Sequence, residues 1–188
     1  AEGSFSTAGR RSRYSYVYAG DVNGDGQGGN DLIYIPNGPD EINFDPILDD
    51  MGNVVVTADE QWAQFNAFIE QDSYLRSHRG QIADRFGASN PWFNSIDVRI
   101  LQDLGLGNHK HTFQLSLDIL NLGNLINSDW GVREVANTSA TTPLVFTRYN
   151  DAGEPVFIYP GTTDRTFVDD VSVVSRWQAQ LGIRYTFQ

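Results

Sequence analysis

The chain is 188 residues long, enough for one domain with a sizeable core. Its 13 Lys and Arg against 24 Asp and Glu give a formal net charge of -11, which excludes a binder of nucleic-acid backbones, since that task needs clustered cations. The absence of cysteine excludes a disulfide framework, a thiolate metal site and a cysteine nucleophile, and a hydrophobic content of 40% excludes low-complexity disorder.

From the N-terminus, Ala1-Glu2-Gly3-Ser4-Phe5 carries neither a charged n-region nor an apolar h-region. No signal peptide is read there, so the chain is either cytosolic or continues a longer polypeptide. No apolar run is long enough for a transmembrane helix, but a transmembrane strand needs only about 9–11 residues with every second one apolar. The first such alternation sets Tyr14, Tyr16 and Tyr18 against Arg13, Ser15 and Val17 and predicts a strand over about 10–19. A long insertion follows over about 20–91. It holds thirteen acids and only Arg76, Arg79 and Arg85, and so carries nearly all of the excess negative charge. Within it, Thr57-Ala58-Asp59-Glu60 is a capping-box pattern, and Trp62, Phe65, Phe68 and Ile69 fall at helical spacing, predicting an amphipathic helix from about Ala58 to Asp72.

Strict period-two alternation returns after the insertion. A strand over about 92–104 places Trp92, Ile96, Val98, Ile100 and Leu104 on one face and Asp97, Arg99, Leu101 and Asp103 on the other. The connection Gly105-Leu106-Gly107-Asn108-His109 is short. The next strand, about 110–123, sets Phe113, Leu115, Leu117 and Ile119 against Thr112, Gln114, Ser116 and Asp118. A second long loop over about 124–172 contains a hairpin signal, with Asn150-Asp151-Ala152-Gly153 between two apolar runs. The last strand, about 173–187, sets Trp177, Ala179, Leu181, Ile183, Tyr185 and Phe187 against Gln178, Gln180, Gly182, Arg184 and Thr186.

A soluble antiparallel sheet with one wet face alternates in the same way. Strand length, the contrast of short and long connections, and aromatic residues at the strand ends favour an outer-membrane barrel. The fold class expected is therefore all-β and antiparallel: strands of a transmembrane β-barrel joined by short and long connections, one long loop holding a short helix. The rival is a secreted or surface β-sandwich binding module with a calcium-stabilised loop.

Three stretches resemble one family. They are Tyr14 to Asp25 continuing through Asn30-Asp31-Leu32-Ile33-Tyr34-Ile35-Pro36, then Leu117-Asp118-Ile119-Leu120-Asn121-Leu122-Gly123-Asn124-Leu125-Ile126-Asn127, and last Ser175-Arg176-Trp177 through Tyr185-Thr186-Phe187. Together they resemble the C-terminal end of a TonB-dependent outer-membrane receptor, of the branch common in Bacteroidetes that carries a carboxypeptidase-regulatory-like domain at its N-terminus. The resemblance implies that the chain is the last four strands of a large transmembrane β-barrel with long extracellular loops, part of a 22-stranded plugged barrel in the cell outer membrane that takes up a scarce nutrient. It also implies the partners: the remaining strands and plug of the same receptor, the TonB complex, the barrel-assembly machinery and outer-membrane lipid. Trp177, Tyr185 and Phe187 would belong to the assembly signal, although Gln188 follows the aromatic on which the family usually ends.

The clearest chemical motif is Asp21-x-Asn23-x-Asp25-Gly26, with Asp31 further on. Oxygen ligands at positions 1, 3 and 5 with glycine at 6 match the start of a calcium loop, which would use Asp21, Asn23, Asp25, the Gln27 carbonyl and Asp31. Position 12 is Leu32 rather than a bidentate carboxylate, and Gly24, Gly26, Gly28 and Gly29 suit a metal-free turn equally well. His109 and His111 flank Lys110 on the short connection and read as a solvated turn. Asp97, Arg99, Asp103, Asp118 and Arg184 read as polar lumen residues. No G-x-S-x-G, H-E-x-x-H or phosphate-loop pattern is present, so no enzyme is expected.

Overall fold

The structure is a computed structural model that describes residues 2–10, 12–105, 111–162 and 164–187. The chain is mostly strand with few helices, and no helix among the described residues is long and apolar enough to cross a membrane. It divides into two compact units, one of residues 1–11, 91–135 and 169–188, the other of residues 12–90 and 136–168.

The first unit is built on one antiparallel sheet of β1 (Glu2–Arg10), β2 (Phe93–Gly105), β3 (His111–Leu120) and β4 (Gln178–Phe187), in that spatial order. It is open and does not close into a barrel. Three of the four strands lie where alternation places them. The first does not: β1 precedes the 10–19 segment expected for it. Glu2-Gly3-Ser4-Phe5-Ser6-Thr7-Ala8-Gly9-Arg10 has small residues where bulky ones would mark a face, so it lacks a period-two signal. It is a strand through pairing, with Phe5 opposite Val98 and Gly3 opposite Ile100. Val98 in turn faces Ile119, which faces Ala179; Ile100 faces Leu117, which faces Leu181. The predicted apolar faces of β2, β3 and β4 therefore coincide on one side of the sheet.

Both long connections enter and leave this sheet at one end. Arg10 pairs with Phe93, and Leu120 pairs with Gln178. The opposite end is joined by the short connection whose residues 106–110, including His109 and Lys110, lie outside the described residues. β3 stops at Asn121, whose left-handed backbone (φ 53°) breaks the pleat. Asn121 donates its backbone N–H to Asp97 Oδ1 at 2.8 Å and its Nδ2 to the Gly131 carbonyl at 2.7 Å. A Cβ at Gly131 would stand 2.0 Å from Asn121 Oδ1, so only glycine fits that contact.

The second unit contains an apolar core, built around helix α1 (Ala58–Gln71) and the short helix α2 (Ser73–Ser77). The α1 bounds follow the capping box: Thr57 Oγ1 accepts from Glu60 N, and Glu60 Oε2 accepts from Thr57 N at 2.8 Å. Its buried face is Phe65, Phe68 and Ile69, with Trp62 partly buried beside them, as the spacing predicts. Tyr16, Tyr18, Ile33, Ile35, Leu75, Leu144, Phe157 and Tyr159 complete the core. Tyr16 and Tyr18 thus alternate because both point into this core and do not belong to the four-stranded sheet.

The hairpin Val145–Tyr149 with Pro155–Ile158 forms as its turn predicts, and Asn43–Phe44 adds to it in parallel. That parallel pair corrects the expectation of purely antiparallel pairing. The remaining sheets are two-stranded.

Candidate functional site

The first candidate site is the apolar side of the four-stranded sheet. Side chains on it lack the cover that a core would give. Leu181 is 74% exposed, Ile183 69% and Phe187 73%, with Ile96, Ile100, Leu104 and Leu115 also exposed. At the end near the short connection, aromatic rings gather on this side. His111 stacks on Tyr185, Phe113 lies 4.8 Å from Tyr185 between ring centroids, and Tyr185 stacks on Phe187. His111 Nδ1 and Tyr185 Oη are hydrogen-bonded at 2.6 Å. Trp92 and Trp177, in sequence step with the same face, stand just before β2 and β4 at the other end, and both are exposed. The apolar stripe therefore has aromatic residues at both margins. Trp177, Tyr185 and Phe187, which the resemblance singles out, all fall on this stripe, Trp177 with its backbone N–H on Asn124 Oδ1 at 3.2 Å.

The opposite side is polar and internally linked. Arg99 and Asp118 are directly opposite in the β2–β3 register and form an ion pair. Gln114 donates to its register partner Asp103 at 2.9 Å. No hydrogen bond or ion pair joins Arg184 to these residues among the described side chains.

The second candidate is the Asp21–Asp31 loop, and the structure brings Asp21, Asn23, Asp25 and Asp31 together. Asp21 Oδ1 accepts from Gly24 N and Asp25 N, and its Oδ2 accepts from Gly26 N at 2.8 Å. Asp31 Oδ2 accepts from Val22 N at 2.8 Å, and its Oδ1 accepts from Asn23 Nδ2 at 2.6 Å. Asn23 Nδ2 also reaches Asp25 Oδ2 at 3.2 Å, so one amide donor links two carboxylates. Asp25 is held below the usual carboxylate range, first by the Gln27 N–H and then by the Asn23 amide. Gln27 contributes that N–H. Gly24, Gly26 and Gly29 take positive φ, which lets the backbone turn inward to supply these donors. Among the described residues no group of three or more His, Asp or Glu side chains is arranged to hold a metal ion.

Two polar residues at the centre of the second unit escaped the sequence reading. Gln61 lies on the buried face of α1, donates to the Asp45 carbonyl at 2.7 Å and accepts from Tyr159 N at 2.9 Å. Asp72, 3% exposed, accepts from Tyr16 Oη at 2.7 Å, Thr166 Oγ1 at 2.8 Å and the N–H groups of Tyr74 and Leu75. Burial raises the Tyr16 hydroxyl far above the usual phenol range, with the Asp72 charge adding to it, so Tyr16 stays the donor. A hydrophobic-periodicity reading passes over both, because a buried polar side chain looks like a surface one until its partners are known. In comparisons with known proteins, no family model, no curated protein and no solved structure matches the chain.

Proposed function

We propose that the chain is the C-terminal barrel segment of a TonB-dependent outer-membrane receptor, in which lipid covers the apolar side of the four-stranded sheet. The observation that carries this reading is the exposed apolar stripe along three strands, interrupted on β2 by Asn94 and Gln102 and bounded by aromatic residues at both ends. β3 and β4 each have 10 residues. At about 3.4 Å per residue and a tilt near 45°, such strands cover the ~25 Å apolar band of an outer-membrane barrel. The polar side would then face the lumen, where Arg99–Asp118 and Gln114–Asp103 are in keeping with a wet interior. The outer edges of β1 and β4 require neighbouring strands, since open edges are not tolerated in lipid.

In this reading the long connections at one end of the sheet are the extracellular capture surface, and the short connection is periplasmic. Trp177, Tyr185 and Phe187 would be read by the barrel-assembly machinery. Uptake would need the plug and the TonB complex. We read no catalytic role. The Asp21–Asp31 loop is taken as a turn closed by its own hydrogen bonds; calcium on Asp21, Asn23, Asp25, Gln27 and Asp31 is the competing assignment.

The experiment is an antibody against residues 21–91 applied to the source cell's fractions. A band several times larger than this chain in the outer membrane supports the receptor. A water-soluble product of this chain's size removes it and favours the β-sandwich binding module.

A further inference from the structure

The second unit contains a cleft of about 270 Å³ lined by Tyr18, Tyr34, Asp40, Glu41, Asn43, Glu154 and Phe157, among others. Its floor is aromatic: Tyr18 and Phe157 are buried and stacked with ring centroids 4.6 Å apart. Its rim carries three carboxylates, and no Lys or Arg is among the lining residues. Two side-chain donors in the cleft are turned onto its own carboxylates. Tyr34 Oη donates to Glu41 Oε2 at 2.8 Å, and Asn43 Nδ2 donates to Glu154 Oε2 at 3.2 Å. Glu41 also receives the Asn37 N–H, which holds its carboxyl below the usual range and keeps it charged at neutral pH. Among the described residues Asp40 has no hydrogen-bond or ion-pair partner.

A cleft that presents three carboxylates and aromatic rings, with no Lys or Arg on its lining, repels anions. It offers a neutral sugar no use for that charge, and the Tyr34 hydroxyl, turned onto Glu41, is not a donor to it. An ammonium has donors only and is attracted by ring faces. The volume lies just under the roughly 300 Å³ at which small-molecule pockets begin, so the occupant is the size of one side chain. We propose that this cleft binds an organic cation on a short apolar stem, the chemistry of a lysine side chain in a peptide. The stem would lie against Tyr34 and the Tyr18–Phe157 floor, and the ammonium among Asp40, Glu41 and Glu154. The receptor reading gives this site its biological meaning as a capture site, but the cleft itself lies wholly within the second unit.

The test is calorimetric titration of the full chain in detergent micelles with Nα-acetyl-lysine amide, using Nα-acetyl-norleucine amide and glucose as comparators. Saturable binding of the lysine probe alone is expected, weakened by salt and by roughly two- to fivefold for each carboxylate neutralised in Asp40→Asn and Glu154→Gln. Asp40→Asn removes no hydrogen bond, so it decides the matter even if Glu154→Gln loosens the hairpin. Equal binding of the norleucine probe, binding of glucose instead, lysine binding indifferent to both substitutions, or no saturable binding each overturns the assignment. None of these results bears on whether the sheet meets lipid. Equally, a sheet found in water leaves the cleft's binding intact.

Discussion

The two units of this chain solve the problem of apolar surface in opposite ways. The second buries it: Phe65, Ile69, Leu75 and Tyr16 are all fully buried, and the polar Asp72 and Gln61 taken inside with them are hydrogen-bonded. The first displays it, with Leu181, Ile183 and Phe187 outermost on one side of the sheet. Burial of such side chains contributes about 1.5–3 kcal/mol each, and the uncovered stripe does not gain that contribution within its own sheet. The two units thus differ in where their apolar atoms point.

The contrast can be broken at several points. The largest effect is expected in the second unit, where Phe65→Ala leaves a cavity in a closed core. A loss of about 3–5 kcal/mol should appear in denaturant unfolding followed by near-ultraviolet dichroism. Next comes Leu181→Arg. On a lipid-facing stripe near the bilayer midplane it costs about 2–4 kcal/mol and lowers the yield of folded protein in membranes. Gln180→Arg, one residue away on the polar side, should be nearly neutral in the same assay. A smaller loss, about 1 kcal/mol, is expected for Thr57→Ala, which removes the cap of α1.

Acid should act weakly and on the second unit. Arg148 beside Asp45 holds that carboxyl below its ordinary value, so the pair's contribution is complete above about pH 4, the unfolded value, and fades as pH falls through the lower folded one. Asp45→Asn should flatten that part of the stability-versus-pH curve, by a small amount because the pair is largely exposed. The smallest effect is reserved for the Asp21–Asp31 loop. Adding calcium after chelation should leave the melting temperature unchanged, whereas a clear rise would assign the loop to the metal.

Much of this was legible from spacing. The faces of β2, β3 and β4, the capping box and buried face of α1, and the Asn150–Gly153 hairpin all follow from local rules that need no partner. The elements that could not be read depend on distant residues. β1 exists by pairing with β2, and its glycines and serines give no face of their own. Tyr14, Tyr16 and Tyr18 alternate as strands do, yet Tyr16 points at Asp72, 56 residues away. The calcium-like spacing of Asp21 to Asp31 was legible as a cluster, but not the backbone donors that occupy its carboxylates. The cleft likewise joins residues near 40 to residues near 155, which no sequence window contains.

The central claim is that lipid covers the apolar stripe, and spin labels placed one at a time at residues 180–184 in outer-membrane vesicles test it most directly. Lipid cover predicts that labels at Leu181 and Ile183 collide with dissolved oxygen and are shielded from a water-soluble nickel complex, with the reverse at Gln180 and Arg184. Labels at all these positions equally open to the nickel complex would contradict it.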